Sequence, residues 1–165
     1  MGITTPIADW VRLEPLKRRE NNCPFTLDSS LGYRRCFPGP DKMGASLKIL
    51  AVDDDPSIRE VISFIFAGPH YEITNVADGY KALAEIDEHP NDYDIIIVDE
   101  KMPRMTGLEL VMSIRERGIA ARIMVLSALL TPEVRQAYED IGVQVIVEKP
   151  FDVVALRLAV DRLAA

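Results

Sequence analysis

Three consecutive aspartates, Asp53, Asp54 and Asp55, follow directly on the apolar run LKILAV. Like charges this close repel, at a cost of about 1 kcal/mol per pair in water and about 4 kcal/mol near a protein surface. Carboxylates gathered at the end of an apolar strand therefore need a counter-charge, which a divalent cation or a cationic side chain can supply. Carboxylate oxygens suit Mg²⁺, so the run predicts a magnesium site.

Chemically active side chains also follow three later apolar runs. Asp99 ends DIIIVD, Ser127 ends RIMVLS, and Lys149 lies in VEKP. Acids with Mg²⁺, a hydroxyl and a lysine fit phosphoryl transfer, because cations neutralise phosphoryl oxygens while a hydroxyl donates a hydrogen bond to one of them. One of the acids can then act as the nucleophile and form an acyl phosphate.

The elements that must position these residues are short apolar runs rich in valine and isoleucine, alternating with amphipathic stretches. The runs predict strands over residues 47–53, 71–77, 93–99, 122–127 and 143–149. The third run is apolar on both faces, which is typical of strands buried between helices in a parallel sheet.

Five helices are predicted between and after these strands, each beginning at a capping residue. Asp55 with Pro56 and Thr131 with Pro132 combine an N-cap with a proline at the first helical position. The other predicted caps are Asp78, Thr106 and Asp152. The predicted apolar stripes include Ile58, Val61, Ile62 and Ile65 in the first helix, Tyr80 in the second, Val134 and Tyr138 in the fourth, and Val154, Leu156, Leu158 and Val160 in the last.

This alternation predicts a doubly wound α/β fold, with one five-stranded parallel sheet and five helices in three α/β/α layers. Ligands bind such sheets at the carboxyl ends of the strands, which is where the candidate residues lie. We expect one domain over residues 46–165. Residues 1–45 are punctuated by proline and glycine, and we expect them to form a poorly ordered N-terminal extension.

The composition narrows the classes of function. The chain has 165 residues, of which 48% are hydrophobic and 27% charged, and its net charge is −7. That charge argues against direct nucleic-acid binding, which needs a basic surface to neutralise phosphates. No apolar run approaches the roughly 20 residues of a membrane span, and no signal-peptide core is present. We therefore expect a cytoplasmic protein without membrane association.

Residues 47–165 resemble the receiver domain of two-component response regulators, the CheY-like family with a flavodoxin-like fold. The matching segments, in the family's order, are ILAVDDDPSIR, DIIIVDEKMPRMTGLEL, IMVLSA and VEKPF. Four separate motifs at plausible spacing make the resemblance specific. It covers about three quarters of the chain and leaves residues 1–42 outside.

The resemblance implies a metal site and a phosphoacceptor. Asp99 is the residue that accepts the phosphoryl group. Asp53 and Asp54 hold Mg²⁺, with Asp54 as the more direct ligand, and Asp99 and the backbone carbonyl of Lys101 complete the protein ligands. Asp55 falls outside this set, and we interpret it as a helix cap.

The resemblance also assigns the residues that contact the phosphoryl group. Ser127 stands at the family's hydroxyl position, Lys149 is the phosphate-contacting lysine, and the bond before Pro150 is expected to be cis. Ile146 departs from the family, which often has tyrosine or phenylalanine there. That aromatic ring swings inward when the hydroxyl residue moves, so the substitution leaves open how phosphorylation is coupled to the rest of the domain.

The resemblance implies a signalling protein rather than an enzyme, one that promotes its own phosphorylation and dephosphorylation. A sensor histidine kinase or a histidine phosphotransfer protein would supply the phosphoryl group. The face formed by helix 4, strand 5 and helix 5, about residues 131–164, would contact a downstream protein partner. Homodimerisation through this face is left open. Because the sequence ends after helix 5, we expect a stand-alone receiver.

Two alternatives remain. A binding module that has lost phosphorylation would explain Ile146, but not the presence of Asp54, Asp99 and Lys149. The run DDDPS also fits the nucleophile motif D-x-D-x-[ST] of haloacid-dehalogenase-like phosphatases, with Asp53 as the nucleophile. That interpretation leaves Asp99 and the KMPRMTG loop without a role.

Overall fold

The structure is a computed structural model that describes residues 46–165. The predicted extension over residues 1–45 lies outside the described residues. Strands and helices alternate along the described part of the chain, in the order β1 (Leu47–Val52), α1 (Pro56–Ile65), β2 (Tyr71–Val76), α2 (Gly79–Glu88), β3 (Ile95–Asp99), α3 (Gly107–Glu116), β4 (Arg122–Ser127), α4 (Pro132–Asp140), β5 (Val145–Glu148) and α5 (Val153–Ala164).

The five strands form one parallel sheet in the order β2-β1-β3-β4-β5. The predicted doubly wound fold is thus confirmed. The chain runs from β1 outward to β2 and then returns to place β3 on the other side of β1. The strand order therefore reverses between β1 and β3, and a crevice opens at their carboxyl ends.

Helices cover both faces of the sheet. Residues of α1 and α5 pack with one set of strand side chains, in a cluster that includes Ile49, Ala51, Ile62, Leu156 and Val160. Residues of α2, α3 and α4 pack with the opposite set, in a cluster that includes Leu50, Val98, Ile86, Leu110 and Tyr138. Within residues 46–165, no helix has the length and hydrophobicity that a membrane span requires.

The predicted helix starts are confirmed. The Asp55 side chain accepts a hydrogen bond from the Ser57 backbone N–H at the start of α1. Thr106 and Glu109 form a reciprocal capping box at the start of α3. At the starts of the remaining helices, the side chains of Asp78, Thr131 and Asp152 each accept a hydrogen bond from a backbone N–H of the first turn. Each cap satisfies a backbone donor that the first helical turn leaves unpaired.

Two strands begin later than the sequence predicts. β3 begins at Ile95 rather than at residue 93, and the Tyr93 hydroxyl instead donates a hydrogen bond to Glu85 of α2. β5 begins at Val145 rather than at residue 143. The Val143 N–H donates to the Tyr138 carbonyl at 2.9 Å, so this residue closes α4 instead of extending the strand.

Five predicted members of apolar stripes are exposed, so their expected burial was wrong; one of them is the small residue Ala84 in α2, and the other four are large. The exposed fractions are 40% for Val61, 53% for Tyr80, 62% for Val154 and 51% for Leu158. Each helix presents only part of its circumference to the sheet, and these residues lie outside that arc. The stripe residues Ile62, Leu156 and Val160 are fully buried.

Candidate functional site

Asp53 lies at the carboxyl end of β1 and is buried, with only 1% of its surface exposed. Its Oδ2 accepts a hydrogen bond of 2.7 Å from the Lys149 ammonium. Its Oδ1 accepts one of 2.9 Å from the Asp55 backbone N–H, and Arg59 donates to its backbone carbonyl. The Asp53 carboxylate is thus fixed by a cation on one side and by the start of α1 on the other.

Asp99 is the last residue of β3 and is also buried. Its Oδ1 accepts a hydrogen bond of 2.7 Å from Lys149, and its Oδ2 accepts one of 3.1 Å from the Lys101 backbone N–H. Burial raises the pKa of Asp99, and the negative charges of Asp53 and Asp54 raise it further, whereas Lys149 opposes the shift.

Lys149 follows β5 and reaches across to the ends of β1 and β3. Burial favours the neutral amine, but the hydrogen bonds to Asp53 and Asp99 outweigh it and raise the pKa of Lys149. The side chain therefore carries its positive charge at neutral pH. The peptide bond between Lys149 and Pro150 is cis, and the Lys149 N–H donates to the Ser127 carbonyl at 2.7 Å.

The side chains of Asp53, Asp54 and Asp99 each offer a carboxylate oxygen within 4.8 Å of one another. Asp54 is exposed, whereas the other two are buried. A compact set of carboxylate oxygens that is open to solvent on one side suits Mg²⁺, which prefers oxygen ligands and keeps several of its waters. The donor set therefore fits the predicted cation. Lys101 lies in the exposed loop that follows Asp99.

Ser127 ends β4 and is buried, with 1% of its surface exposed. Its Oγ has no hydrogen-bond partner among the described residues. A buried hydroxyl without a partner is unusual, because it has given up its hydrogen bonds to water. Ile146, two residues upstream of Glu148 in β5, is half-buried and packs against the cluster beneath α2, α3 and α4.

Gly107 begins α3 directly against the segment that carries Asp99. A Cβ at this position would lie 2.5 Å from the Asp99 carbonyl oxygen and 2.8 Å from the Glu100 Cα. The Gly107 N–H also donates to the Glu100 carbonyl at 2.9 Å. Only glycine leaves the backbone of the β3–α3 loop enough room to turn at this point.

Sequence reasoning missed a further pair of residues beside the site, Glu100 and Tyr138. The Tyr138 hydroxyl donates a hydrogen bond to Glu100 Oε2. Burial raises the pKa of both side chains, which keeps the tyrosine a neutral donor. The Tyr138 hydroxyl, on the otherwise apolar stripe of α4, was a weak signal that a polar partner lies nearby. Nothing in the sequence identifies that partner as Glu100, which is 38 positions away.

The family described as Response regulator receiver domain matches residues 49–161. This chain belongs to that family. The sequence motifs had predicted the receiver domain of two-component response regulators, so the predicted family is confirmed.

Solved receiver structures have the same fold. The chain is 35% identical to the chemotaxis protein CheY4 of Vibrio cholerae, with a TM-score of 0.67 over 72% of this chain and 99% of that one. It is 31% identical to the receiver domain of the Francisella response regulator 1452, with a TM-score of 0.65 over 72% and 96% of the two chains.

Two curated relatives are longer proteins. The chain is 37% identical over 108 residues to the response regulator MprA of Mycobacterium leprae, and the match covers 64% of this chain and 45% of that protein. It is 30% identical over 105 residues to the response regulator RppA of Synechocystis sp., with the same coverage of 64% and 45%. The chain therefore spans less than half of the length of these curated relatives.

Proposed function

We propose that Asp99 accepts a phosphoryl group from a histidine kinase or a histidine phosphotransfer protein. The observation that carries this proposal is the position of Lys149. Its ammonium lies 2.7 Å from both Asp53 and Asp99, beside a third carboxylate, that of Asp54. Such a cation, next to a buried carboxylate at the crevice of the sheet, suits the stabilisation of a transferring phosphoryl group.

In the proposed reaction, a carboxylate oxygen of Asp99 attacks the phosphorus atom of a phosphohistidine. The new O–P bond forms as the P–N bond breaks, and the electron pair of the broken bond stays on the imidazole nitrogen. Lys149 neutralises the charge of the phosphoryl oxygens, and the Ser127 hydroxyl donates a hydrogen bond to one of them. Because these groups are already positioned, much of the catalysis lies in the receiver itself.

The residues proposed to hold Mg²⁺ are Asp53, Asp54, Asp99 and, through its backbone carbonyl, Lys101. The bound cation would supply charge neutralisation to the phosphoryl oxygens. Asp53 is held in place by Lys149 and by the Asp55 N–H, whereas Asp54 is exposed and open to a hydrated ion. This difference supports Asp54 as the more direct ligand.

We further propose that the phosphorylated domain signals through the surface of α4, β5 and α5. Phosphorylation would add about 1.5 to 2 negative charges at Asp99, and in this proposal the added charge changes the balance between two states of the domain. The exposed side chains of Val154 and Leu158 lie on α5, and they offer apolar surface to a downstream protein or to a second copy of the chain.

The experiment is incubation with an acyl phosphate donor and Mg²⁺, followed by mass spectrometry. We expect one phosphoryl group on the wild type, mapped to Asp99, and none on Asp99→Asn. Asp92→Asn is the matched control. This exposed aspartate pairs with Lys48 near the amino ends of β1 and β3, away from the site, so its loss should leave the labelling unchanged.

The same experiment separates the alternatives. A label on Asp53 would support the phosphatase interpretation and overturn ours. The capping of α1 by Asp55 argues against that interpretation, because its carboxylate is engaged with the Ser57 N–H. An unlabelled wild type would support the phosphorylation-independent binding module.

A further inference from the structure

Glu100 and Tyr138 connect the segment of the phosphoacceptor to helix α4. Glu100 directly follows Asp99, and its carboxylate accepts a hydrogen bond from the Tyr138 hydroxyl. Tyr138 is the only residue of α4 that is buried, with none of its surface exposed. The Tyr138 side chain therefore holds α4 against the rest of the domain, and its hydroxyl bonds the residue that follows the proposed phosphoacceptor.

The surroundings of this pair leave little space for independent movement. A Cβ at Gly107 would lie 2.8 Å from the Tyr138 hydroxyl, 2.8 Å from the Glu100 Cα and 2.5 Å from the Asp99 carbonyl oxygen. The start of α3, the end of β3 and the Tyr138 ring thus meet at one point. Because close-packed interiors transmit displacements, a shift of Glu100 must be taken up by Tyr138.

Phosphorylation of Asp99 would act directly on this pair. The phosphoryl group adds about 1.5 to 2 negative charges to the residue that directly precedes Glu100. The Glu100 carboxylate already feels the negative charge of Asp99, and it is half-buried and therefore poorly screened by solvent. Repulsion favours a new position for this carboxylate. Tyr138 must then follow it or leave its hydroxyl buried without a partner, which is unfavourable. The first response moves α4, and the second makes the packed position of α4 less stable.

We propose that the Tyr138–Glu100 hydrogen bond couples the phosphorylation state of Asp99 to helix α4, a role that Ile146 cannot fill. Isoleucine at position 146 has neither a ring nor a hydroxyl, whereas Tyr138 supplies both from the neighbouring element. The inference rests on the proposed phosphorylation of Asp99. It identifies Tyr138 as a positioning residue, since its side chain acts through Glu100.

The test is amide hydrogen exchange of α4, measured with and without phosphorylation, on wild type and Tyr138→Phe. Intact mass measures the phosphoryl occupancy of Asp99 in the same samples. Tyr138→Phe removes only the hydroxyl. The matched control is Tyr93→Phe, which removes a second Tyr–Glu hydrogen bond of the described region, of 2.7 Å to Glu85, near the amino end of β3.

We expect phosphorylation to change α4 exchange in the wild type and in Tyr93→Phe by roughly fivefold or more. In Tyr138→Phe, Asp99 should be phosphorylated to the same occupancy, but the change should fall below about twofold. A full change in Tyr138→Phe would overturn the coupling, and so would a phosphorylated wild type whose α4 exchange does not change. An unphosphorylated wild type would instead overturn the proposed function.

Thermal unfolding shows whether Tyr138→Phe folds. If it does not, a second variant, Glu100→Gln, tests the inference. Glu100→Gln retains an oxygen that accepts the hydrogen bond from Tyr138 but removes the charge that phosphorylation repels. We expect the same loss of the α4 response in this variant. An α4 response as large as that of the wild type would overturn the proposed role of Glu100 and, with it, the coupling.

Discussion

The Nζ atom of Lys149 lies 2.7 Å from Oδ1 of Asp99. The same ammonium lies 2.7 Å from Oδ2 of Asp53, so one cation bridges two buried carboxylates from different strands. The positive charge of Lys149 offsets much of the repulsion between the carboxylates at the carboxyl ends of the strands. The aspartates that follow β1 can therefore lie close to Asp99.

Loss of this bridge should impair phosphoryl transfer. In Lys149→Gln we expect phosphorylation of Asp99 to slow by about 10²–10³-fold, the usual cost of removing one group that stabilises a transition-state charge. Labelling rates from an acyl phosphate donor measure the effect. Lys48→Gln is the control, because it removes an exposed ion pair with Asp92. Equal rates in wild type and Lys149→Gln would contradict the proposed role.

Mg²⁺ should stabilise the folded domain through the three carboxylates. At a concentration 100 times its dissociation constant, a bound ion adds about 2.7 kcal/mol to the free energy of unfolding. Asp54→Asn removes a proposed ligand and should reduce the stabilisation by Mg²⁺. Asp55→Asn retains a good helix cap and should leave that stabilisation unchanged. Thermal unfolding with and without Mg²⁺, at constant ionic strength, measures both. The same response in both variants would argue against Asp54 as a ligand.

Gly107→Ala should destabilise the domain, although alanine is the better helix former by about 0.5–1 kcal/mol. The added Cβ would lie 2.5 Å from the Asp99 carbonyl oxygen, and overpacking of this kind costs about 1–3 kcal/mol. Urea unfolding measures the change. Ser113→Ala, within the same helix, serves as the control and should be close to neutral. A Gly107→Ala variant as stable as the wild type would show that the loop relaxes freely.

Asp78 should make the stability of the domain depend on pH. The Lys81 N–H at the start of α2 lowers the pKa of Asp78 below its ordinary value of 3.8; burial opposes this shift and the Arg104 guanidinium adds to it. A carboxyl whose pKa is lower in the folded state stabilises the fold above the ordinary value. This contribution is lost as the pH falls through the folded pKa.

Two variants test this contribution by urea unfolding at pH 7 and near pH 3. Asp78→Ala removes the cap and should cost about 1 kcal/mol at pH 7. Asp78→Asn retains the hydrogen-bond acceptor but not the charge, so its difference from the wild type should shrink as the pH falls below 3.8. A difference that stays constant with pH would show that the charge of Asp78 contributes nothing.

Local signals in the sequence were enough to predict the fold and the neighbourhood of the site. Alternating apolar runs and capping residues such as Asp55 and Thr106 specify strands and helices through short-range chemistry. The right-handed connection between parallel strands then brings their carboxyl ends to one edge. The side chains of Asp53, Asp99 and Lys149 therefore had to approach one another, although they come from three different strand ends.

The tertiary structure decided which helix residues are buried and which long-range pairs form. Val61 and Leu158 are exposed, because burial depends on the arc of each helix that meets the sheet and not on apolar spacing alone. Tyr138 contacts Glu100 only after α4 has packed against the end of β3. A hydrogen bond between residues 38 positions apart is a product of packing, whereas the proximity of Asp53, Asp99 and Lys149 could be inferred from where their strands end.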